Sequence, residues 1–223
     1  LECPFHRWQF NGDGVCTHIP YADKIPKAAD TNAYFVCEYY GQILFWYHAQ
    51  RQEPEYMPPE IEAMTTGNML RRGATCTAVN MHIQEFAENS TDFQHFDPLH
   101  GQMTLPFSPI PIPFLRINHR PGWKEGKGAE KHRCWFLDHA DLYFAGHTIP
   151  KTDAHATINF IGPASLVFFL FETELGKIVL FQTHTPLAGT RQEVHFEWWA
   201  DVQLPRGLVF YVVGNWIAQW RND

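Results

Sequence analysis

The stretch that decides the fold prediction is residues 88–100, which read ENSTDFQHFDPLH. Apolar residues recur at helical spacing from Ile83 to His95, so a helix is expected there, and Pro98 should end or bend it. Residues five apart on an α-helix diverge by about 140°. The imidazoles of His95 and His100 can therefore converge only if the helix breaks between them, and Pro98 supplies a reason for that break.

The chain on either side of this stretch has the pattern of an antiparallel sheet. Thr75–Met81 alternates and is partly β-branched, and six later segments are also strand-like. These segments are Phe114–Asn118, Arg133–Asp138, Ala156–Ile161, Leu166–Glu172, Ile178–Thr183 and Val194–Ala200. A final apolar segment, Leu208–Trp220, predicts a long helix. We therefore predict an α+β fold of helix-grip shape, in which a curved antiparallel sheet holds a helix.

The first fifty residues predict a smaller β domain. Asn11-Gly12-Asp13-Gly14 is a strong hairpin turn, and Tyr34–Glu38 and Ile43–Tyr47 flank a second hairpin. Residues 51–61 are polar and contain several prolines, which is typical of a linker. We predict a β domain at 1–50, a linker at 51–70 and a larger domain at 71–223.

Composition limits the class of protein. The formal net charge is -7 and no run of Lys or Arg stands out, which argues against nucleic acid as the main partner. No segment reaches the roughly 18 uninterrupted apolar residues that span a bilayer. The five cysteines lack the spacing of a disulfide framework, which favours a reducing compartment. Because the chain begins at Leu1 without an initiator methionine, we expect an N-terminally truncated fragment.

The acid and the two histidines of residues 88–100 are the ligand types of a non-haem iron site. Such Fe(II) sites use two neutral imidazoles and one carboxylate on one face of the ion and leave other positions open. A pair of histidines five residues apart is, by itself, more often a solvated helix end. Asp92, three residues before His95, and the preceding Glu88-Asn89 pair favour the metal site.

This stretch resembles the D-x2-H-x4-H motif of the Rieske non-haem iron oxygenase family, and above all its cholesterol 7-desaturase branch. The resemblance implies that His95 and His100 hold a mononuclear Fe(II). It also implies that Asp92 hydrogen-bonds a ligand imidazole and links the iron to the Rieske cluster of a neighbouring subunit. Asp97-Pro98 stands where the animal desaturases have an apolar pair, a departure that bears on the substrate.

Family members supply the third iron ligand from the last helix, in a stretch that resembles Q-x-x-x-D. Gln219-Trp220-Arg221-Asn222-Asp223 fits this pattern, so the resemblance implies Asp223 as the carboxylate ligand. A solvated terminal carboxylate is the alternative interpretation of Asp223. Asp201 and Glu197, in a strand-like segment before the helix, are weaker candidates.

Cys3-Pro4-Phe5-His6 resembles the second half of a Rieske motif, C-x2-H followed by an aromatic residue. A Rieske [2Fe-2S] cluster takes two thiolates and two imidazoles from two loops. The resemblance therefore implies Cys3 and His6 as half of the cluster ligands, with the other two upstream, and we predict that these 223 residues alone do not hold the cluster. Cys16-Thr17-His18 could be read as the missing pair, but a strand-edge cysteine beside a solvated histidine is the simpler interpretation.

Two further stretches resemble the steroid-acting members of the family. Ile158–Pro163 and Thr183–Leu187 are similar to segments of cholesterol 7-desaturases and of bacterial 3-ketosteroid 9α-hydroxylases. Because a sterol is hydrocarbon apart from one hydroxyl, we expect an apolar pocket. Its candidate residues, each of which is by itself more often an ordinary core residue, are Phe107, Ile110, Ile112, Phe114, Phe168, Phe169 and Phe171.

The resemblance implies an oxidoreductase that desaturates a sterol at C7–C8. Electrons from NAD(P)H would pass through a separate reductase or ferredoxin to the Rieske cluster and through Asp92 to the iron, with O2 as co-substrate. The resemblance also implies a homotrimer. It further implies membrane association through an N-terminal segment outside this chain, at the endoplasmic reticulum with the catalytic part facing the cytoplasm.

Three other functions fit parts of the pattern. A Rieske hydroxylase could act on another steroid or hydrophobic ring system. A metal-free helix-grip domain could bind a hydrophobic ligand without catalysis. A zinc hydrolase fits least, because no general-base Glu is placed as in H-E-x-x-H.

Overall fold

The computed structural model describes residues 1–162 and 165–221. The chain forms two compact units, Leu1–Pro59 and Glu60–Asp223. The strands are β1 (Gln9–Phe10), β2 (Cys16–His18), β3 (Val36–Tyr39), β4 (Gln42–Phe45), β5 (Met69–Val79), β6 (Gln102–Thr104), β7 (Pro111–Glu125), β8 (Arg133–Phe144), β9 (His147–Thr148), β10 (Ala154–Ile161), β11 (Leu166–Thr173), β12 (Gly176–Ala188) and β13 (Arg191–Asp201). The helices are α1 (Glu62–Thr66), α2 (Glu85–Thr91) and α3 (Arg206–Trp220), with 3-10 turns at Lys27–Ala29, Phe93–His95 and Gly128–Glu130 and a π-helical turn at Phe96–His100.

The first unit consists of two hairpins, as predicted. In the turn between β1 and β2, the side-chain oxygen of Asn11 accepts hydrogen bonds from the backbone N–H groups of Asp13 and Val15. Gly14 has φ +81°, and a Cβ there would lie 2.3 Å from the carbonyl oxygen of Thr31, so only glycine fits. Cys16 of β2 is buried in a small apolar core, which also contains Ile19, Ala29, Trp8 and Phe10.

The second unit is built on one antiparallel sheet. Its strand order is β5-β13-β12-β11-β10-β8-β7-β6, with β9 paired to β8. The seven strands predicted in this part of the chain are all present, and β6 and β9 are additional short strands. The predicted α+β class is therefore confirmed.

The core of the second unit lies between this sheet and α3. Alternate residues of neighbouring strands point to the helix, among them Phe160, Phe169 and Leu180, and they pack with Val213 and Ile217 of α3. The predicted helix at Leu208–Trp220 is confirmed and begins two residues earlier. In the part of the chain that the structure describes, no helix has the length and apolar character needed to cross a bilayer.

The helix predicted from Ile83 to His95 is shorter in the structure. α2 ends at Thr91, and the backbone becomes extended at Asp92, with ψ 91°. The hydroxyl of Thr91 donates to the carbonyl of Glu88, and the carboxylate of Asp92 caps the following 3-10 turn by accepting from the backbone N–H of Gln94. These local hydrogen bonds compete with helix continuation.

The predicted break at Pro98 is wrong. Pro98 lies inside the π-helical turn Phe96–His100, and the chain leaves the helix at Asp92 instead. The predicted domain borders also differ from the compact units, because α1 and the start of β5 fall within the predicted linker at 51–70.

Candidate metal centre

His95 and His100 converge at the end of α2. Their Nε2 atoms are 3.1 Å apart, and their rings meet edge to face at 77°. The His95 side chain is 11% exposed, and His100 is buried. Both imidazoles therefore present one nitrogen to the same point in a largely dry environment.

The π-helical turn explains this convergence. A π-helix pairs backbone groups five residues apart, so residues at this spacing lie above one another, whereas on an α-helix they would diverge. The turn is held on its outer side by Arg116, whose guanidinium donates to the carboxylate of Asp97 over 2.8 Å. On its inner side the ring of Phe96 stacks on Phe136 of β8.

The spacing of the two nitrogens fits a shared metal ion. Two metal–nitrogen bonds of about 2.1 Å whose nitrogens are 3.1 Å apart enclose roughly 95°. This is close to the right angle between neighbouring ligands on an octahedral ion. Nδ1 of His95 is buried and has no hydrogen-bond partner among the described residues. Imidazole ligands suit iron among other transition metals, and the Nε2 atom of each ring is the one placed to bind a shared ion.

Asp92 lies beside this pair without hydrogen-bonding it. One carboxylate oxygen of Asp92 is 3.8 Å from Nδ1 of His95, beyond hydrogen-bond distance, and the other accepts from the backbone N–H of Gln94. The side chain is 57% exposed. A small rotation of the Asp92 side chain would bring its carboxylate within hydrogen-bond distance of Nδ1 of His95, the contact that its predicted role requires.

Helix α3 is tied to the backbone of the histidine pair. The Gln219 side chain donates to the carbonyl oxygen of His100 over 3.1 Å, and the Asn215 side chain donates to the carbonyl oxygen of Thr104 over 2.7 Å. Asp223, the predicted carboxylate ligand, lies outside the described residues. The ligand role of Asp223 therefore remains a prediction. Its motivation is that Gln219, in the same Q-x-x-x-D stretch, contacts the backbone of His100.

The two other carboxylates considered as ligands have partners elsewhere. Glu197 is buried and accepts from the Arg71 guanidinium over 2.6 Å. Asp201 accepts from the backbone N–H of Lys177 over 2.8 Å. Neither is a better candidate than Asp223.

In the first unit, Cys3 and His6 share a tight loop. The backbone N–H of Cys3 donates to the carbonyl of Trp8, and the N–H of Arg7 donates to the carbonyl of Cys3, both over 2.8 Å. His6 is exposed and Cys3 is half-buried with a free thiol. Cys16, in contrast, is a buried core residue.

The predicted pocket residues occupy different environments. Phe107 packs against Phe210 of α3, and its backbone N–H donates to the carbonyl of Gly214 over 2.8 Å. Phe114 is 72% exposed, and Ile112 is half-buried on the same strand, β7. Phe169 is buried against Trp216 of α3. Their role as pocket residues remains a prediction.

Two buried polar clusters of the second unit were not predicted from the sequence. Both lie on the face of the sheet that packs against α3. His119 of β7 hydrogen-bonds Asp138 of β8 over 2.6 Å, and His184 of β12 lies between the amides of Gln182 and Gln192. Each cluster joins side chains of two directly paired strands, so only the strand register could have found it.

A second cluster of potential metal ligands lies on the opposite face of the sheet. His139 and His155 are directly opposed on β8 and β10 with stacked rings, and Asp153 contacts both imidazoles. The hydrogen bond with His139 lowers the pKa of Asp153. The cluster is exposed, so metal-binding experiments on the candidate centre need it as a control.

Comparison with known proteins places the chain in a family. The 3-ketosteroid 9alpha-hydroxylase C-terminal domain family matches residues 45–205. The chain belongs to this family. The Rieske [2Fe-2S] domain family matches residues 1–41. The resemblance to Rieske non-haem iron oxygenases is thereby confirmed.

Named proteins similar to this chain include sterol and steroid enzymes, which is consistent with this family. Cholesterol 7-desaturase nvd of Xenopus laevis is 31% identical over 231 residues, covering 100% of this chain and 51% of the relative. Cholesterol 7-desaturase of Caenorhabditis elegans is 31% identical, covering 91% of this chain and 50% of the relative. The oxygenase component of 3-ketosteroid-9-alpha-monooxygenase of Rhodococcus rhodochrous is 36% identical, covering 46% of this chain and 28% of the relative. The chain thus spans about half the length of the desaturases it matches.

Solved structures share the fold. The NdmA QL mutant of Pseudomonas putida CBB5 with caffeine has a TM-score of 0.61 at 17% identity, covering 100% of this chain and 64% of that one. Dicamba monooxygenase bound to 3,6-dichlorosalicylic acid has a TM-score of 0.60 at 15% identity, covering 99% of this chain and 71% of that one. At such identities the likeness concerns the fold alone.

Proposed function

We propose that this chain is the iron-binding half of a Rieske-type oxygenase that desaturates a sterol at C7–C8. The observation that carries the proposal is the 3.1 Å approach of the Nε2 atoms of His95 and His100 in a chain 31% identical to a cholesterol 7-desaturase. The overall reaction would remove two hydrogens from the sterol. Together with two electrons and two protons, they would reduce one O2 to two waters.

Each group of the candidate centre has a role in this proposal. His95, His100 and Asp223 would hold the iron, and the bound iron would supply the oxygen chemistry. Asp92 would turn toward Nδ1 of His95, fix its tautomer and pass a proton to or from it. Phe96 and Phe136 would keep water from the inner side of the histidine pair.

The cofactors and partners of the proposal come from the family. Cys3 and His6 would bind one side of the [2Fe-2S] cluster, and electrons from NAD(P)H would arrive through a separate reductase or ferredoxin. We also propose a homotrimer that works at the endoplasmic reticulum membrane with its catalytic part facing the cytoplasm. Sedimentation of the full-length protein would measure the first property, and cell fractionation the second.

The metal site is tested by anaerobic Fe(II) titration of the 223-residue chain. We expect one tightly bound iron per chain, lost in His95→Ala and in His100→Ala because each change removes a ligand. His139→Ala is the matched control, since it removes an imidazole from the exposed cluster on the opposite face. Iron that survives both ligand changes but is lost in the control would overturn the assignment.

The reaction is tested in the full-length protein with its reductase. Cholesterol should yield 7-dehydrocholesterol. The similarity to a steroid 9-alpha-monooxygenase component makes hydroxylation the second candidate, and a hydroxylated steroid as the sole product would favour it. Binding of sterol without any turnover in the iron-loaded protein would instead favour a non-catalytic ligand-binding domain.

A further inference from the structure

His119 and Asp138 form a buried pair on the face of the sheet that packs against α3. Nδ1 of His119 and one carboxylate oxygen of Asp138 are 2.6 Å apart, and the other oxygen accepts from the backbone N–H of Arg120 over 2.9 Å. The side chains of His119 and Asp138 are 11% and 7% exposed. The carboxylate therefore fixes the orientation of the imidazole, with the Nδ1 proton directed to Asp138.

The other ring nitrogen of His119 has no partner. Nε2 is buried and makes no hydrogen bond within the described residues. A buried polar atom left unpaired is costly, and native proteins keep few of them without a use. An imidazole held by a carboxylate on one side and unpaired on the other is poised to hydrogen-bond a ligand.

The His119 ring lies close to the candidate metal centre. The ring of Phe96 lies between the imidazoles, 5.4 Å from His119, 4.6 Å from His95 and 5.3 Å from His100. The His119 ring is thus at most about 10 Å from the His95 ring, the sum of the two ring separations. The ring of His119 lies against Phe96, which itself stacks on Phe136, so His119 borders an aromatic environment.

We propose that Nε2 of His119, oriented by Asp138, hydrogen-bonds the 3-hydroxyl of the sterol substrate and so sets its position relative to His95 and His100. This inference rests on the proposed function. In a sterol, the carbon that bears the hydroxyl and the C7–C8 bond lie in adjacent rings. Anchoring the hydroxyl at His119 therefore keeps the reacting bond within reach of the histidine pair.

The chemistry of the pair predicts which ligands it accepts. A hydroxyl both donates and accepts, so it pairs with neutral or protonated His119, whereas a ketone pairs only with the protonated form. A hydrocarbon analogue leaves Nε2 buried and unpaired. Sites built around such a hydrogen bond reject the analogue that lacks it more strongly than apolar pockets reject a change of size.

The test compares two ligands against two forms of the protein. Binding of cholesterol and of 5-cholestene, which lacks the hydroxyl, is measured by quenching of tryptophan fluorescence in the 223-residue chain. The wild type should prefer cholesterol by about tenfold or more, the usual effect of one buried hydrogen bond. In the double variant His119→Leu/Asp138→Leu, which leaves no buried charge unpaired, this preference should vanish while 5-cholestene binds as before.

A second variant distinguishes the loss of this hydrogen bond from misfolding of the protein. His119→Gln keeps a side chain that can bond both Asp138 and a hydroxyl, so it should retain part of the preference for cholesterol. A preference that persists in the double variant, or a wild type that binds neither sterol or both equally, overturns the role of His119. Turnover of cholesterol in the full-length wild type is scored separately, so the proposed function can stand even where this inference fails.

Discussion

At the residue scale, the buried His184 has a pKa well below its usual value. It is buried beneath the ring of Phe86, between the side-chain amides of Gln182 and Gln192. Burial lowers its pKa from 6.5 to about 4, although the hydrogen bond with Gln192 acts in the opposite direction. At neutral pH the imidazole is therefore uncharged, and protonating it works against the fold.

This burial predicts a pH-dependent stability. Because the pKa is lower in the folded chain than in the unfolded one, the unfolded state takes up the proton first as pH falls. The free energy of unfolding should drop progressively between pH 6.5 and pH 4, with about 2 kcal/mol lost at pH 5 relative to pH 7 from this group. Urea unfolding at the two pH values measures the difference.

The matched comparison uses two histidine variants. His184→Gln should reduce the difference between pH 7 and pH 5, whatever its effect on absolute stability. His147→Gln, at an exposed position, should leave the wild-type difference in place. An unchanged difference in His184→Gln would show that other groups cause the acid sensitivity.

The residues of the candidate centre were predictable to different degrees. His95 and His100 lie on one short stretch, so their spacing and the nearby Asp92 were visible in the sequence. His119 and Asp138 are 19 residues apart on two strands, and they meet only because the register pairs Pro121 with Asp138. A pattern of alternating residues does not fix that register.

At the element scale, helix α3 depends on a glycine for its contact with the loop after β6. A Cβ at Gly214 would lie 2.6 Å from the ring of Phe107 and 2.7 Å from Pro106. Gly214→Ala should therefore destabilise the protein by about 1–3 kcal/mol through overpacking, despite the better helix propensity of alanine. Thermal unfolding of the variant provides the measurement.

Gly207 in the same helix is the control, because a Cβ there meets nothing within 4 Å. Gly207→Ala should be neutral or stabilising by up to about 1 kcal/mol. Comparing the two substitutions separates the effect of the contact with the loop from the effect of helix propensity on stability. Equal effects of the two substitutions would mean that the loop moves away from α3 at little cost.

Most elements were predictable because their apolar patterns are long and regular. The strands from β7 to β13 and helix α3 follow such patterns, except for the two-residue β9, which offers too few residues to show one. The π-helical turn Phe96–His100 was not predictable, since its five residues carry no pattern that distinguishes it from a broken helix. Pro98 therefore suggested a break where the chain instead widens its turn.

At the scale of the whole molecule, the second unit would hold the mononuclear iron of the proposed enzyme and the first unit would supply two of the four cluster ligands. Asp92 is the side chain proposed to connect the two kinds of iron centre between subunits. Asp92→Asn keeps the size of the side chain and removes its charge. In the full-length protein we expect iron content to stay within error of the wild type, while steady-state turnover falls by at least about tenfold. Iron analysis and product formation on the same sample measure both.

Asp97 provides a control for Asp92→Asn, because it is a nearby aspartate in the same stretch of chain. Asp97 lies in the π-helical turn but pairs with Arg116 on its outer side, so Asp97→Asn should retain most of the turnover. Loss of iron in Asp92→Asn would assign Asp92 to metal binding instead of transfer. Undiminished turnover would remove it from the mechanism.

The widened turn also sets how many residues separate the two histidines. Side chains four apart on an ordinary helix already share one side, and a π-helical turn is the form a helix takes when it absorbs a single extra residue. The wider turn absorbs one residue more than an α-helical turn does, so His95 and His100 face each other with four residues between them. Removing one residue from this turn would therefore leave an α-helical spacing that still places both imidazoles on one side of the helix.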